Sequence, residues 1–415
     1  MNGTKNISPW QFACFRILFG IYLAVHFAGL LPYAGELFSS HGVLADPKLN
    51  FTFGVLPNPL EHFPSATFAT GFVAALQLFS LVFALGAYRR TMALLLWFGW
   101  ACLFNRNNLI LNPGLPYVGL LLLLCALIPS GEPLSLKARN STRPWSMPTM
   151  IYWTAWFLLA TGYTYSGIVK LFSPSWTDGS ALLHLLNNPL ARPGLLRDLL
   201  LALPDGFLKL LTWGALAGEI LVLPLSFFQR GRLAGWLAML VMHLSILLVV
   251  DFADLTFGML MIHLFTFDPD WLPARKTADQ TLLLFDGDCA LCHRTVQFFL
   301  TEDHAGTLRF APLQGPTAAS ILQRHAIPTD QMKSVVLVEH AGTDVERVFT
   351  KSTAVLRALG NLGGFWRVVG WLQCMPRSLR DTVYDRIARN RYSWLGQTEV
   401  NCLLPSVATR GRLLL

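Results

Sequence analysis

Two cysteines three positions apart, Cys289 and Cys292, are the residues in this chain whose type and spacing most directly permit chemistry. A thiol acts as its thiolate, so a redox pair needs one sulfur that ionises readily and a second close enough to resolve the mixed disulfide. A C-x-x-C at the start of a helix meets both needs. Unsatisfied N–H groups and the positive dipole end lie beside the first sulfur, and one turn of helix brings the second beneath it. Here Leu282 to Phe285 reads as a strand, Asp286-Gly287-Asp288 as a turn, and Cys289 as the helix start. Cys289 is the expected nucleophile and Cys292 the resolving thiol. Asp288 joins them as a site residue with opposed effects: it can cap the helix or relay a proton, while its charge beside Cys289 works against a thiolate.

The same residues carry rival readings, the plainest being two buried thiols with no chemistry. Cys289 to His293 also spells C-x-x-C-H, the c-type haem attachment pattern, which the strand before it disfavours. Asp286-Gly287-Asp288 is similar to the paired aspartates of haloacid-dehalogenase phosphatases, but Ala290 stands where those enzymes place threonine or valine. A zinc site needs a second thiol pair, and Cys374 and Cys402 are isolated from one another. No metal is expected, and dithiol exchange itself requires no cofactor.

The elements that position this pair follow from composition. More than half of the 415 residues are hydrophobic and only 13% charged, about half the charged share of a soluble protein. Nearly all the long apolar runs precede Trp271, and the chain after Lys276 has the mixed charge of a soluble domain, so two domains are expected, 1–275 and 276–415. A spanning helix needs about 20 apolar residues. Eight candidates occur, at 10–32, 66–87, 91–111, 114–129, 149–172, 206–228, 233–252 and 254–268. The first carries Arg16 and lacks a clear small-residue cleavage site, so it reads as an uncleaved span and not a signal peptide. Cys14, Cys102 and Cys125 lie inside apolar runs as small packing residues.

The net charge of +8 resides at the ends of these runs. Arg89 with Arg90, Arg230 with Arg232, and Lys137, Arg139 and Arg143 occupy alternate short links, which is the positive-inside pattern and argues against nucleic acid. Those links should be cytoplasmic, and an even number of spans places the C-terminal domain on that side too. The expected location is a plasma or bacterial inner membrane. Ionisable groups within the runs are Arg16, His26, Arg106, Lys170, Glu219, His243 and His263. Such groups are costly in lipid and often functional. Lys170 and Glu219 can form a buried pair that only orients helices, or Lys170 can serve as a base or bind an anionic group.

Past Thr281 the rhythm shortens to strands at Thr281–Phe285, 307–311, 334–338 and 345–349, with helices at 291–301 and 316–325 and others opening at Ser352, Phe365 and Ser378. The order is βαβαββα. F-D-G-D-C-A-L-C-H, ending at His293, closely resembles the motif of the DCC family of thiol–disulfide oxidoreductases, named for residues matching Asp288, Cys289 and Cys292. Arg309-Phe310 with Leu313-Gln314, Ser352, Tyr384, the Asn390-Arg391-Tyr392 triplet, and Cys402 with Pro405 extend the similarity over roughly the last third of the chain. The resemblance implies a thioredoxin-like fold, although no proline stands just before Ser334, where thioredoxins place a cis-proline facing the cysteines.

Tyr165-Ser166-Gly167-Ile168-Val169-Lys170-Leu171, with Trp176, Gly179 and the stretch from Glu219 to Pro224, is similar to the HTTM domain, the membrane unit related to vitamin K-dependent γ-carboxylase. In that carboxylase the lysine matching Lys170 is the base toward vitamin K hydroquinone. The resemblance implies a quinone-type or lipidic ligand near a second candidate site of Lys170, Glu219, Tyr165 and His243. Carboxylation itself does not carry over, because no outward glutamate-substrate domain follows the membrane unit.

The expected protein is therefore a multi-pass α-helical membrane domain of about eight spans followed by an α/β thioredoxin-like domain. Its expected activity is thiol–disulfide exchange with a disulfide-containing protein or small thiol, coupled to a quinone in the bilayer. One alternative is a carboxylase-like membrane enzyme acting on a lipid or quinone, with the C-terminal domain as a regulatory or docking module. Another is a scaffold whose Arg377, Arg380, Arg386, Arg389 and Arg391 rest on anionic headgroups.

Overall fold

The structure, a computed structural model, describes residues 7–136, 145–251, 253–274, 281–327, 334–396 and 410–414. The chain divides after Phe267 into two compact units.

All eight apolar runs of the first unit are helices: α1 (Pro9–Leu30), α2 (Ala66–Ala84), α3 (Arg89–Arg106), α4 (Leu115–Leu127), α5 (Thr149–Lys170), α6 (Asp205–Ser226), α7 (Gln229–Val249) and α8 (Ala253–Thr266). Four described stretches are long and apolar enough to cross a membrane: Pro9–Phe38, Ala66–Ala84, Asp205–Ser226 and Gln229–Val249. The helices are apolar all round. Phe12, Phe15, Phe19, Leu23 and Phe27 bury one face of α1, while Leu18, Ile21 and Val25 on its other side are exposed. Leu78, Leu81, Phe157, Leu221 and Val241 likewise face outward where a soluble protein would present polar groups. The unit is a membrane domain.

Its buried arginines close helix ends. Arg16, fully buried, donates to Phe83 O at 3.2 Å and to Ala84 O at the end of α2, and to Leu134 O at 2.8 Å. Arg89 donates to Cys125 O, to Ile128 O at 2.9 Å and to Pro129 O at 2.7 Å beyond α4. Both share Glu132, at 3.3 and 2.9 Å. These guanidiniums satisfy the last carbonyls of a helix, which otherwise have no partner. Arg89 is thus a buried capping residue and not the exposed link cation its position suggests. Lys137, Arg139 and Arg143 lie outside the described residues.

The second unit alternates strands and helices: β1 (Thr281–Phe285), α9 (Ala290–Glu302), β2 (Leu308–Pro312), α10 (Pro316–Arg324), β3 (Val336–Glu339), β4 (Arg347–Thr350), α11 (Lys351–Leu362), α12 (Gly364–Gly370) and α13 (Arg377–Leu395). The sheet order is β2-β1-β3-β4, with β1 parallel to β2 and antiparallel to β3. Every residue of β1 is buried, because helices cover both sheet faces. Leu283 and Phe285 pack with Val296 and Phe299 of α9 and Ala358 of α11, while Leu282 and Leu284 meet Ala318 and Ile321 of α10. The alternation is that of a strand with two covered faces.

Three expected strands shift by one or two residues: 307–311 becomes Leu308–Pro312, 334–338 becomes Val336–Glu339, and the third moves at the turn before it. The strand placed at 345–349 begins at Arg347, because Glu346 belongs to the turn. Its carboxylate accepts the Gly342 N–H at 2.7 Å and pairs with Arg324 and His325. Burial opposes ionisation of Glu346, but these donors outweigh it and hold the carboxyl below its ordinary pKa.

Candidate functional site

β1 delivers the chain to Asp286-Gly287-Asp288, and Cys289 is itself the N-cap of α9, in extended conformation. The Cys292 N–H donates to Cys289 Sγ at 3.3 Å, so the first sulfur accepts the hydrogen bond that a serine or aspartate oxygen takes at other helix starts. The cap expected of Asp288 is therefore supplied by the cysteine. Asp288 is exposed; its N–H donates to Asp286 Oδ1 at 3.2 Å.

Both thiols are free and buried, Cys289 at 0% exposure and Cys292 at 6%, within the apolar cluster of Phe285, Val296, Phe299 and Val335. Burial, reinforced by the hydrogen bond to Cys289, raises the Cys292 thiol well above its ordinary pKa, so Cys292 holds its proton at neutral pH. His293 is committed to the turn, with Nε2–H donating to Gly287 O at 2.6 Å.

Asp286, one position from Gly287 and fully enclosed by donors, organises the approach to the pair. Its Oδ2 lies 2.5 Å from the Arg391 guanidinium and accepts the Tyr392 O–H at 2.5 Å, both from α13. Its Oδ1 accepts from Gln314 at 3.0 Å. Burial opposes ionisation of Asp286, but the bonds from Tyr392, the Asp288 N–H and Gln314 prevail, helped by the Arg391 charge, and its pKa is lowered. Burial and the nearby carboxylate raise the Tyr392 phenol, keeping it a donor. The chain just past α13 also reaches the mouth of α9, where Gly396 O accepts the Ala290 N–H at 3.4 Å. Tyr384, on the same helix, accepts the Val335 N–H at 2.9 Å beside the dithiol. So α13 lies against the turn that presents the cysteines and against Val335 of their apolar cluster. Cys402 and Pro405 lie outside the described residues.

In the membrane unit Lys170 Nζ meets Glu219 Oε1 at 2.5 Å and sits 4.4 Å from the Trp176 ring centroid. The pair forms because α5 and α6 approach closely at Gly167, where an added Cβ would lie 3.0 Å from Ile220 N. Pro224 interrupts α6; lacking an N–H, it leaves Ile220 O unpaired, and the Thr164 hydroxyl donates there at 3.1 Å. His243 is buried, with its ring centroid 5.9 Å from both Tyr163 and His263. Tyr165 stands apart. It is 70% exposed, and Tyr163, about 200° around the helix, occupies the interior position. Tyr163 was not singled out in the sequence, although its spacing of four from Gly167 would have put it on the inner face, and His263 was named only among the ionisable groups and not with Lys170 as a site residue.

Among the described residues, five buried atoms here have no hydrogen-bond partner: Tyr163 Oη, His263 Nε2, Glu219 Oε2 and both ring nitrogens of His243. Such groups are expensive to bury unsatisfied. His263 Nδ1–H donates to Met259 O at 2.9 Å, which leaves its Nε2 an acceptor, while Tyr163 offers a donor. Among the described residues no group of three His, Cys, Asp or Glu side chains is placed to hold a metal ion.

Comparison with known proteins matches two stretches of the chain to two families. The HTTM domain model matches residues 4–271, and the DCC1-like thiol–disulfide oxidoreductase model matches residues 283–397. The uncharacterized protein YuxK of Bacillus subtilis (strain 168) is 40% identical over 133 residues, which is 32% of this chain and 93% of YuxK. The DCC family protein At1g52590, chloroplastic, of Arabidopsis thaliana is 34% identical over 119 residues, covering 28% of this chain and 66% of that protein. No solved structure matches the chain.

Proposed function

Because the chain belongs to the HTTM family and carries a DCC1-like thiol–disulfide oxidoreductase domain, we propose that it is a membrane-bound oxidoreductase working through Cys289 and Cys292. The Cys289 thiolate attacks a partner disulfide, forming a mixed disulfide and releasing one partner thiolate. Cys292 then gives up its proton and attacks Cys289 Sγ, releasing the second. Two electrons pass to the partner, two protons complete its thiols, and the Cys289–Cys292 disulfide remains. The observation that carries this reading is the hydrogen bond from the Cys292 N–H to Cys289 Sγ at the first turn of α9. It aims a backbone N–H at that sulfur and keeps the second sulfur one turn away.

In its fuller form the membrane unit supplies the other half of the exchange. A quinone-type ligand held near Lys170, Glu219, Tyr163 and His243 would take two electrons and two protons from the dithiol, or return them. All eight helices would then cross the bilayer, with Arg230, Arg232 and the dithiol domain on the cytoplasmic side. The unpartnered atoms beside Lys170 also favour a second reading, a carboxylase-like enzyme acting on a lipid or quinone, with the dithiol domain regulating or docking it.

Turnover of a disulfide substrate by the full chain, wild type against Cys289→Ser, tests the first reading; equal rates would remove it. Quinone binding and turnover left unchanged by Lys170→Ala would remove the ligand near that residue.

A further inference from the structure

The outward face of α13 is apolar. Leu379, Val383, Ile387 and Trp394 recur at spacings of four, four and seven, which places them within about 80° of arc on a helix turning 100° per residue. All four are exposed, Val383 at 55% and Trp394 at 60%. Trp371 and Leu372, just before the helix, are exposed as well. This is the reverse of the usual arrangement, in which a domain's last helix buries its apolar stripe.

The charges beside the stripe are basic. Arg377 is paired with Asp381 at 3.2 Å, and Arg380 is occupied by Ser352 and Met375 O. Arg386 and Arg389, by contrast, have no carboxylate within ion-pair distance among the described residues; Arg389 donates only to the Asp385 carbonyl. Two uncompensated cations flanking an apolar stripe with tryptophans at its ends match the chemistry of a lipid interface, where indole rings favour the headgroup level and arginines meet anionic phosphates. A second copy of the same face would oppose like charges. The covalent link to a membrane domain keeps a bilayer at high local concentration.

We infer that α13, with the Trp371 segment before it, is an interfacial helix that seats its Leu379–Val383–Ile387–Trp394 stripe in an anionic lipid leaflet. Tyr392, about 180° around the helix from Val383, holds Asp286 together with Arg391, so the turn that presents the dithiol is tied to the helix that carries the stripe. This inference is independent of the redox reading, since a docked helix does not require reactive thiols.

The test is photocrosslinking of the full chain in nanodiscs containing a diazirine-bearing lipid, with adducts located by mass spectrometry. In discs with phosphatidylglycerol, adducts are expected on the peptide spanning Trp371 to Trp394. They should fall about tenfold in the Arg386→Gln/Arg389→Gln variant or in discs of phosphatidylcholine alone, and should weaken at high salt. Val383→Asp should reduce them too. Unaltered thiol labelling of Cys289 would confirm that these surface variants remain folded. Adducts confined to the membrane unit, or insensitive to lipid charge and to both variants, would overturn the inference, as would protein–protein crosslinks from the stripe in place of lipid ones.

Discussion

The carboxylate of Asp286 and the guanidinium of Arg391, 105 positions apart in the chain, lie 2.5 Å from one another beside the cysteine pair. This contact joins the turn that presents Cys289 to the helix that covers it. With Cys289 fully enclosed, partner access depends on how firmly α13 is held.

Arg391→Gln should loosen that hold. Removing one member of a buried ion pair strands the other and typically costs about 3 kcal/mol or more. In the full chain, maleimide labelling of Cys289 is expected to accelerate at least about tenfold. Tyr392→Phe removes a hydrogen bond to a charged group, worth about 2 kcal/mol, and should act in the same direction less strongly. An unchanged labelling rate in both would show that α13 does not control access.

The two cysteines should separate by trapping. In a Cys374→Ser background, which removes an exposed thiol, Cys292→Ser should accumulate a mixed disulfide on Cys289, because nothing resolves it. Cys289→Ser should trap almost none, since Cys292 is raised in pKa and holds its proton. Equal trapping in the two variants would reverse or abolish the assigned order.

Stability should fall at both ends of the pH scale. Asp286 is lowered in pKa by its donors in the folded state, so its contribution is complete above the unfolded value of about 4 and is lost as pH falls through the folded one. Asp381 and Glu346 act in the same sense. Cys292 is raised, so its contribution is complete below about pH 8.5 and declines as pH rises further, when unfolding frees the thiol to ionise. Denaturation followed against pH should show a shallower acid limb in Asp286→Asn and a flatter alkaline limb in Cys292→Ser.

Lys170→Met should destabilise the membrane unit by leaving Glu219 buried and unpaired, by about 2–3 kcal/mol. Adding Glu219→Leu should recover most of the loss. Thermal unfolding in a fixed detergent measures both, and a double variant no more stable than the single would show that Glu219 is held by something other than Lys170.

The fold was readable where a pattern is local. Apolar runs marked all eight helices of the first unit, four of them in stretches long and apolar enough to cross a membrane, and the shift to short runs after Thr281 marked the sheet, because burial of a helix or strand face is written in nearby residues. The cysteine pair was legible for the same reason. What the local pattern could not show was which aspartate matters most to its surroundings. Asp288 adjoins Cys289 in sequence, but Asp286 meets Arg391 and Tyr392, and that encounter depends on the return of α13 over a long stretch of chain. Tyr165 against Tyr163 is a question of helix phase, settled by the close approach at Gly167. Arg89 looked like a link cation until the carbonyls ending α4 claimed it, a contact set by tertiary packing.

The most direct measurement is a redox titration of the full chain in nanodiscs, with the Cys289–Cys292 bond quantified by mass mapping at each potential. A reversible two-electron transition with a single midpoint, absent in Cys289→Ser, is the expected result. Failure of any bond to form between these two sulfurs under native oxidising conditions would contradict it.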